Sequence, residues 1–285
     1  MNFYTLATAG LLSLSVFTVA QADKVKSTQH SGEMVKTAMT ELMVNKNVAA
    51  VDTYFGEPYI QHNQAVPSGL DGLKGLAQQA IAGNPAFNYQ MIRFIVDGDI
   101  GITHGIYEGF GPVPLVAFDV FRVEGGKIVE HWDNLSPVAD KNPSGRTQTD
   151  GPVDVIDPDL TDANKALVSD FVSQVLIGGA FEKIGAYFDG DAYIQHNSSI
   201  GDGLSGLTAG LKTLAEAGIT MRIDKLHQVY GEGNFVLTLS EGTVADAPTA
   251  FYDLFRVDNG KIAEHWDVIS PIVPADTAAN QNGKF

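Results

Sequence analysis

The sequence predicts an α+β fold that is built twice in tandem, with helices first and strands last in each half. One observation is that motifs recur at a constant offset. "YIQHN" begins at residues 59 and 193, and "FDVFRVEGGKIVEHWDNLSP" at residue 118 corresponds to "YDLFRVDNGKIAEHWDVISP" at residue 252, so both pairs are 134 residues apart. The other is a change from helical to alternating apolar spacing within each copy. A repeat this long predicts two domains, each with its own core.

Composition limits the classes of protein to be considered. The chain has 285 residues, of which 44% are hydrophobic and 18% charged, as in soluble globular proteins. The formal net charge of -16, with no clustered Lys or Arg, argues against nucleic acid as a partner. Cys is absent, which excludes disulfides, Cys nucleophiles and thiolate metal sites.

The N-terminus is apolar and ends in the small-x-small sequence Ala20-Gln21-Ala22. This pattern predicts a secretory signal peptide over residues 1–22, and hence a periplasmic or secreted protein with no membrane attachment after cleavage. Because the segment before the apolar run has no Lys or Arg, an uncleaved membrane anchor is the alternative.

Helical spacing of apolar residues comes first in each copy. It predicts helices over 31–47 and 69–82 in the first copy and over 161–179 and 203–217 in the second. Because these segments precede the alternating runs, helices and strands are segregated along the chain, as in α+β domains.

Alternating, β-branched and aromatic runs follow the helices and predict an antiparallel sheet. In the first copy they span 87–96, 99–109, 115–123 and 127–135, and matching runs occur in the second. The last strands carry apolar residues on both faces, so we expect the two sheets to pack together as an intramolecular pseudo-dimer. The predicted segments are a signal peptide at 1–22, a first domain at 30–140, a linker at 141–160, a second domain at 161–275 and a flexible tail at 276–285.

Hairpin signals join the last two strands of each copy, at Glu124-Gly125-Gly126 and Asp258-Asn259-Gly260. Two registers are open. A two-residue turn sets Asp119 opposite Trp132, whereas a three-residue loop with a left-handed Gly126 sets Asp119 opposite His131.

The segments "YIQHN", "GLDGL" and "FDVFRVEGGKIVEHWD" resemble the SnoaL-like family of the nuclear-transport-factor-like superfamily, including its predicted aldol-condensation-catalysing members. The resemblance covers nearly all of both copies. It implies two cone-shaped domains, each with N-terminal helices closing a pocket on a curved antiparallel sheet. In the family's polyketide cyclases a pocket Asp is the acid/base of an intramolecular aldol condensation, with a His on the preceding strand. Asp119 matches that Asp, and His104 stands where the His is expected.

The residues around Asp119 support the same role. On its strand Leu115, Ala117 and Phe121 point the same way, so desolvation should raise the pKa of the carboxyl, whether it acts as base or acid. The alternative is a structural Asp that holds a neighbouring strand through buried hydrogen bonds. In the three-residue register His131 would pair with Asp119.

The candidate site residues therefore fall into two groups. The catalytic candidates are Asp119, His131, His104, Asp253 and His265. The ligand-binding candidates are the aromatic and polar residues of the two YIQHN segments and the last two strands, namely Tyr59, His62, Asn63, Phe121, Asp133, Tyr193, His196, Asn197, Phe255 and Asp267. Which face of YIQHN points inward is left open. The second copy has Leu237 or Thr238 in place of His104, which predicts a weaker or merely ligand-holding site.

Two classes of function follow. The first is a cofactor-free lyase, cyclase or isomerase that transfers a proton on a small carbonyl compound. The second is a non-catalytic module that binds a small apolar molecule in the same pocket. Nucleotide, serine-hydrolase and zinc-enzyme motifs are absent from the sequence, so we predict no cofactor and no metal. Convergence of His62, His104, His131, Asp119 and Asp133 as metal ligands is the rival chemistry.

Overall fold

The computed structural model describes residues 31–285 and contains, within that range, two five-stranded sheets. The first sheet consists of β1 (Phe55–Gln61), β2 (Asn88–Asp97), β3 (Ile100–Glu108), β4 (Leu115–Glu124) and β5 (Lys127–Pro137). The second consists of β6 (Ile194–Gln195), β7 (Met221–Glu232), β8 (Phe235–Val244), β9 (Ala247–Asp258) and β10 (Lys261–Pro271). Their orders, β1-β5-β4-β3-β2 and β6-β10-β9-β8-β7, are the same. The predicted signal peptide, residues 1–22, lies outside the described residues.

Helices precede the antiparallel strands in both halves, as predicted. The α-helices are α1 (31–39), α2 (Ala50–Tyr54), α3 (Leu70–Leu76), α4 (Thr161–Phe171) and α5 (Gly203–Glu216). Three of them continue as π-helical turns, namely Thr40–Val44 after α1, Ala77–Ala82 after α3 and Val172–Ile177 after α4. Short 3₁₀ segments lie at Pro158–Leu160, Phe181–Ala186 and Gly190–Ala192. The predicted fold, two α+β cone domains in tandem, is confirmed. Among residues 31–285, no helix combines the length and the apolar character that crossing a membrane requires.

The β4–β5 hairpin has a register that differs from both predicted ones. Its loop is two residues long, since Glu124 pairs with Lys127 and both intervening glycines have positive φ. A bulge between the Arg122 and Val123 pairs then shifts the strands by one residue. As a result Asp119 lies opposite Asp133, and His131 is diagonal to Asp119 on the same face. The second hairpin repeats this bulge.

Each sheet has an inner face, turned to its own helices, and an outer face, turned to the other sheet. On the inner face of the first sheet Phe121 and Val123 join a buried cluster with Val35 of α1 and Leu42. The corresponding cluster of the second half joins Val168, Phe171 and Phe255. Each half therefore has a core of its own between helices and sheet.

The outer faces of the two sheets pack against each other in a third cluster. Trp132 and Trp266 both lie in it, together with apolar residues of β3, β4, β8 and β9. Fully buried Asn134 crosses this interface and donates from Nδ2 to the carbonyl oxygens of Ala250 and Val268, at 3.1 and 2.6 Å. The apolar residues on both faces of the last strands are thereby covered on both sides.

The segment that follows each domain crosses to the other domain. After β5, Asn142 Nδ2 donates to the carbonyl oxygens of Gln195 and Ile200 at 2.7 and 2.9 Å. The Arg146 guanidinium then donates to Asp202 at 2.8 Å. The linker thus braces the loop that follows β6.

The C-terminal tail, residues 276–285, makes the reciprocal contact. Asn280 Nδ2 donates to the carbonyl oxygens of Asn63 and Val66, at 2.7 and 2.9 Å. Asn282 Nδ2 donates to Gln61 O at 2.9 Å. These amide side chains bind the tail to the loop after β1, a tertiary contact that the polar composition of the tail does not reveal.

Candidate functional site

A cavity of about 30 Å³ lies between the helices and the inner face of the first sheet. Its apolar wall includes Met39, Leu42 and Leu73, and the polar side chains that reach it are Tyr59, Gln61, Asn63, Tyr107, Asp119, His131 and Asp133. One water needs roughly 10–15 Å³ of such space, so this cavity has room for about two waters or a small chemical group.

Asp119 on β4 is the centre of the polar cluster and is 3% exposed. Its Oδ1 lies 3.2 Å from His131 Nε2, and its Oδ2 accepts hydrogen bonds from the hydroxyls of Tyr107 at 3.0 Å and Thr103 at 3.3 Å. Burial raises the pKa of the Asp119 carboxyl, and the hydrogen bond with His131 opposes that rise. Both oxygens of the carboxyl are therefore in contact with polar side chains.

The hydrogen bonds around His131 determine where its protons are. Its Nδ1 lies 3.0 Å from Gln61 Oε1, which also accepts the Asn63 N–H at 2.8 Å. Because a backbone N–H can only donate, that atom of Gln61 is the amide oxygen, and His131 Nδ1 must carry a hydrogen. The Nε2 of neutral His131 then presents a lone pair to Asp119, so one proton is shared between them. Either Asp119 is protonated, or His131 is an imidazolium beside a carboxylate.

Two tyrosines that the sequence analysis missed complete the site. The Tyr107 ring stacks on Tyr89 at 4.4 Å, and the Tyr89 hydroxyl donates to Thr103 Oγ1 at 2.9 Å. Burial raises the pKa of Tyr107 well above its usual value, and the Asp119 charge raises it further, so Tyr107 stays a neutral donor. Gly105 allows this packing, because a Cβ there would lie 2.8 Å from the Tyr89 ring. Alternation along β3 from the position opposite Asp119 would have identified Tyr107.

Asp133 places a second carboxylate beside the pair. It lies directly opposite Asp119 in the β4–β5 register, and Asn63 Nδ2 donates to its Oδ2 at 2.6 Å. Lys284 of the tail donates to the Asp133 backbone oxygen at 2.7 Å, with Nζ 3.8 Å from Oδ1. Burial lowers the pKa of Lys284, and the Asp133 carboxylate opposes this. The tail thus brings a cation to the first site.

His104 does not belong to this site, which corrects its prediction as a pocket residue. It stacks on Phe118 at 4.2 Å on the outer face, and its Nδ1 lies 3.1 Å from Arg93 Nη1. Burial, then the Arg93 charge, lowers the pKa of His104 well below its usual value. In the β3–β4 register Thr103 is opposite Asp119, so alternation turns His104 to the other side.

His62 and His196 also lie on the outer faces, away from the cavity. Their rings stack on Trp132 at 4.8 Å and on Trp266 at 4.7 Å. The Nε2 of His62 lies 3.0 Å from Glu130 Oε1. The predictions that His62 and His196 bind a ligand in the cavity are therefore wrong. The predicted metal site of five residues is also wrong, because two of its members, His62 and His104, face the other sheet.

The other predicted ligand-binding residues of the first half line the cavity. Tyr59, Asn63, Phe121 and Asp133 all do so, which answers the question of which face of YIQHN points inward. Phe121 also stacks on the His131 ring at 4.5 Å, which holds the imidazole against the sheet.

The second half repeats the polar cluster. His265 Nε2 lies 3.0 Å from Asp253 Oδ1, and His265 Nδ1 lies 2.9 Å from Gln195 Oε1. Asn197 Nδ2 donates to Asp267 Oδ2 at 2.6 Å. Burial disfavours a charged His265, but hydrogen bonding to Asp253 and the charge of Asp267 outweigh it and raise the pKa of His265.

The surroundings of the second cluster differ from those of the first. Tyr193 and Phe255 are buried beside it, with the Tyr193 hydroxyl accepting from Gln195 Nε2 at 2.9 Å. The register position of Tyr107, however, is occupied by Gly242. Thr238 lies opposite Asp253, as Thr103 does opposite Asp119, but among the described residues its Oγ1 has no hydrogen-bond partner.

Comparison with known proteins gives a family match and several distant structures. The model of the SnoaL-like domain matches residues 37–131. A search of curated proteins finds no match. TsrD from Streptomyces laurentii is 17% identical, covers 37% of this chain and 88% of its own, with a TM-score of 0.33. An LEH-like epoxide hydrolase from M. tuberculosis is 21% identical and covers 39% of this chain and 85% of its own, with a TM-score of 0.34. A SnoaL-like polyketide cyclase from Agrobacterium tumefaciens is 13% identical and covers 37% of this chain and 91% of its own, with a TM-score of 0.32. Residues 37–131 are thus similar to the SnoaL-like domain, and the second half of the chain repeats the strand order and the His–Asp–Asp cluster of the first half.

Proposed function

We propose that the first domain is a cofactor-free acid–base enzyme, a lyase, cyclase or isomerase, that acts on a small carbonyl compound. The observation that carries the proposal is the buried Asp119–His131 pair at the cavity wall, with Nε2 and Oδ1 3.2 Å apart and one proton between them. A carboxyl held in an apolar cavity with a raised pKa is suited to exchange a proton with a carbon acid near neutral pH.

The surrounding donors supply the second requirement, stabilisation of negative charge. Removing a proton beside a carbonyl places charge on the carbonyl oxygen. The Tyr107 hydroxyl reaches both the cavity and Asp119 Oδ2, so it can turn from the carboxyl to that oxygen. His131 is the other donor when it is an imidazolium. In this scheme Asp119 takes the proton, and Tyr107 or His131 holds the enolate oxygen.

Size restricts the substrate. The cavity of about 30 Å³ admits only a small group unless the helices move outward. Its wall is apolar apart from the residues named above, which favours a compact carbonyl compound with little charge. In the second domain, which lacks the Tyr107 counterpart, we propose a weaker or ligand-holding site.

The test begins with the ligand. Native mass spectrometry of protein purified from its own host should release a small molecule, whose turnover is then measured with wild-type and Asp119→Asn protein. Loss of turnover with retained binding supports the enzyme. A ligand that is never turned over, and that binds equally well to Asp119→Asn, would establish the alternative, a small-molecule binding module.

We also propose that the protein is exported, as the apolar run ending at Ala22 supports. The intact mass of protein recovered from the periplasm or the medium should correspond to a chain that begins at Asp23. A mature protein that keeps Met1, or one confined to the cytoplasm, would contradict export.

A further inference from the structure

We infer that the second domain, and not the first, binds a divalent transition-metal cation of the Zn²⁺ class through Asp253, His265 and Asp267. One potential ligand atom from each of these residues lies within 4.8 Å of the others, and all three residues are buried. The set offers one imidazole nitrogen and two carboxylates, a donor combination suited to Zn²⁺ and Co²⁺.

The orientation of His265 is already that of a metal ligand. Gln195 Oε1 accepts the backbone N–H groups of His196 and Asn197, both at 2.9 Å, so it is fixed as an oxygen. It therefore takes a hydrogen from His265 Nδ1, 2.9 Å away, and the lone pair of Nε2 points at the carboxylates. A metal-bound imidazole usually donates its other N–H to an oxygen in this manner.

The distance between the first two ligand atoms also suits a shared cation. His265 Nε2 and Asp253 Oδ1 are 3.0 Å apart. Two ligands at about 2.0–2.1 Å from a tetrahedral Zn²⁺ lie roughly 3.3 Å from each other. A lone pair and a carboxylate oxygen this close need a positive species between them, and two carboxylates with a neutral imidazole match the charge of a divalent cation.

Unused acceptors distinguish this cluster from its counterpart. Over residues 31–285, Asp253 Oδ2 and Asp267 Oδ1 accept no hydrogen bond, and no Lys or Arg side chain pairs with either carboxylate.

An independent observation points to a ligand at the same place. Thr238 is fully buried and lies directly opposite Asp253 in the β8–β9 register. Its Oγ1 has no partner among the described residues, although its counterpart Thr103 is hydrogen-bonded on both sides. A buried hydroxyl without a partner calls for a bound species. A water on the fourth position of a tetrahedral cation would provide the partner.

In the first domain the corresponding atoms are occupied by protein groups. Tyr107 and Thr103 donate to Asp119 Oδ2, and the ammonium of Lys284 lies 3.8 Å from Asp133 Oδ1. A cation there would have to displace two hydroxyl donors and approach a like charge. The two domains should therefore differ in metal affinity even though both hold a His–Asp–Asp set.

The test uses the whole chain, freed of metal by a chelator and titrated with Zn²⁺ alone, with bound metal counted by native mass spectrometry. We expect one Zn²⁺ per chain. His265→Gln and Asp267→Asn should each weaken binding at least tenfold, whereas the matched changes His131→Gln and Asp133→Asn should leave it unchanged. Co²⁺ in place of Zn²⁺ should give visible absorption bands that His265→Gln abolishes.

Several outcomes would overturn the inference. These are absence of Zn²⁺ binding by the wild-type chain, two ions bound with equal affinity, or loss of the ion in the first-domain variants. If His265→Gln does not fold by circular dichroism, Asp267→Asn and Thr238→Val give the answer. Thr238→Val should weaken Zn²⁺ binding a few-fold, and an unchanged affinity in both variants would contradict the site. This test needs no substrate, so its result is separate from that of the proposed enzyme activity.

Discussion

The two halves of the chain hold the same three titratable residues on the same strands, yet the protein groups around them differ. Around Asp119 and Asp133, hydroxyls of β3 and the ammonium of Lys284 satisfy the carboxylates. Around Asp253 and Asp267, only His265 and Asn197 do so among the described residues. The repeated motif thus determines where the His and the two Asp side chains lie in each domain. The neighbouring strand, β3 or β8, and the C-terminal tail determine which chemistry these side chains support.

The largest effect we expect is on turnover. Asp119→Asn removes the proton acceptor but keeps the shape of the side chain, so kcat should fall by about 10²- to 10⁴-fold. Asp253→Asn is the matched control and should have a much smaller effect. Steady-state kinetics on the identified substrate measure both, and equal losses would show that the two domains are catalytically equivalent.

Stability should also differ between the halves at the two tryptophans. Trp266 is fully buried, donates from Nε1 to Asp150 O at 2.9 Å and lies under Arg93, whereas Trp132 Nε1 has no partner among the described residues. Because Arg93 Nη2 also donates to Asp150 O, at 2.6 Å, Trp266→Phe removes one of two hydrogen bonds to that carbonyl. It should therefore lower the free energy of unfolding by about 0.5–1.5 kcal/mol more than Trp132→Phe does. Urea denaturation at one pH measures the difference, and equal losses would contradict this view of the interface.

The metal preference should be transferable. If Tyr107 and Lys284 are what exclude a cation from the first domain, the double change Tyr107→Phe with Lys284→Gln should create a second Zn²⁺ site. Native mass spectrometry should then count two ions per chain, with the new one lost on adding His131→Gln. A chain that still binds a single ion would show that other features set the difference.

The smallest effect concerns pH. In the metal-free chain, which is the state to be measured here, the pKa of His265 is raised by folding, so its protonation stabilises the fold fully below about pH 6.5, the value in the unfolded chain. That contribution is lost as pH rises through the higher folded value. The free energy of unfolding of the wild type should thus exceed that of His265→Gln by more at pH 6 than at pH 8. A constant difference would indicate that His265 does not carry the expected charge.

Much of the fold could be predicted from the sequence, because the offset of 134 residues and the change of apolar period are local signals. The inward position of Asp119 followed from its apolar neighbours on the strand. The bulge between Arg122 and Val123 could not be predicted, because no residue pattern at this point of the sequence marks a bulge. Without the register of β3, His104 was placed on the wrong face.

The role of the tail was also beyond the sequence. Lys284 lies beside Asp133, and Asn280 and Asn282 of the same tail bind the loop after β1 of the other domain. Such contacts join residues more than two hundred positions apart and leave no periodic pattern. Polar ends of chains are usually poorly ordered, which is why a flexible segment was predicted.

The central claim, that Asp119 and His131 share one proton, can be tested without a substrate. Long-range ¹H–¹⁵N correlation spectra of the imidazole rings report which ring nitrogen of each histidine carries hydrogen, and a His131→Gln sample assigns the signals. The account predicts that Nδ1 of His131 carries a hydrogen and donates it to Gln61. It predicts that Nε2 is either protonated or accepts a hydrogen bond from a protonated Asp119. The change Asp119→Asn should therefore shift the Nε2 signal. A neutral ring with hydrogen on Nε2 and a bare Nδ1 would contradict it.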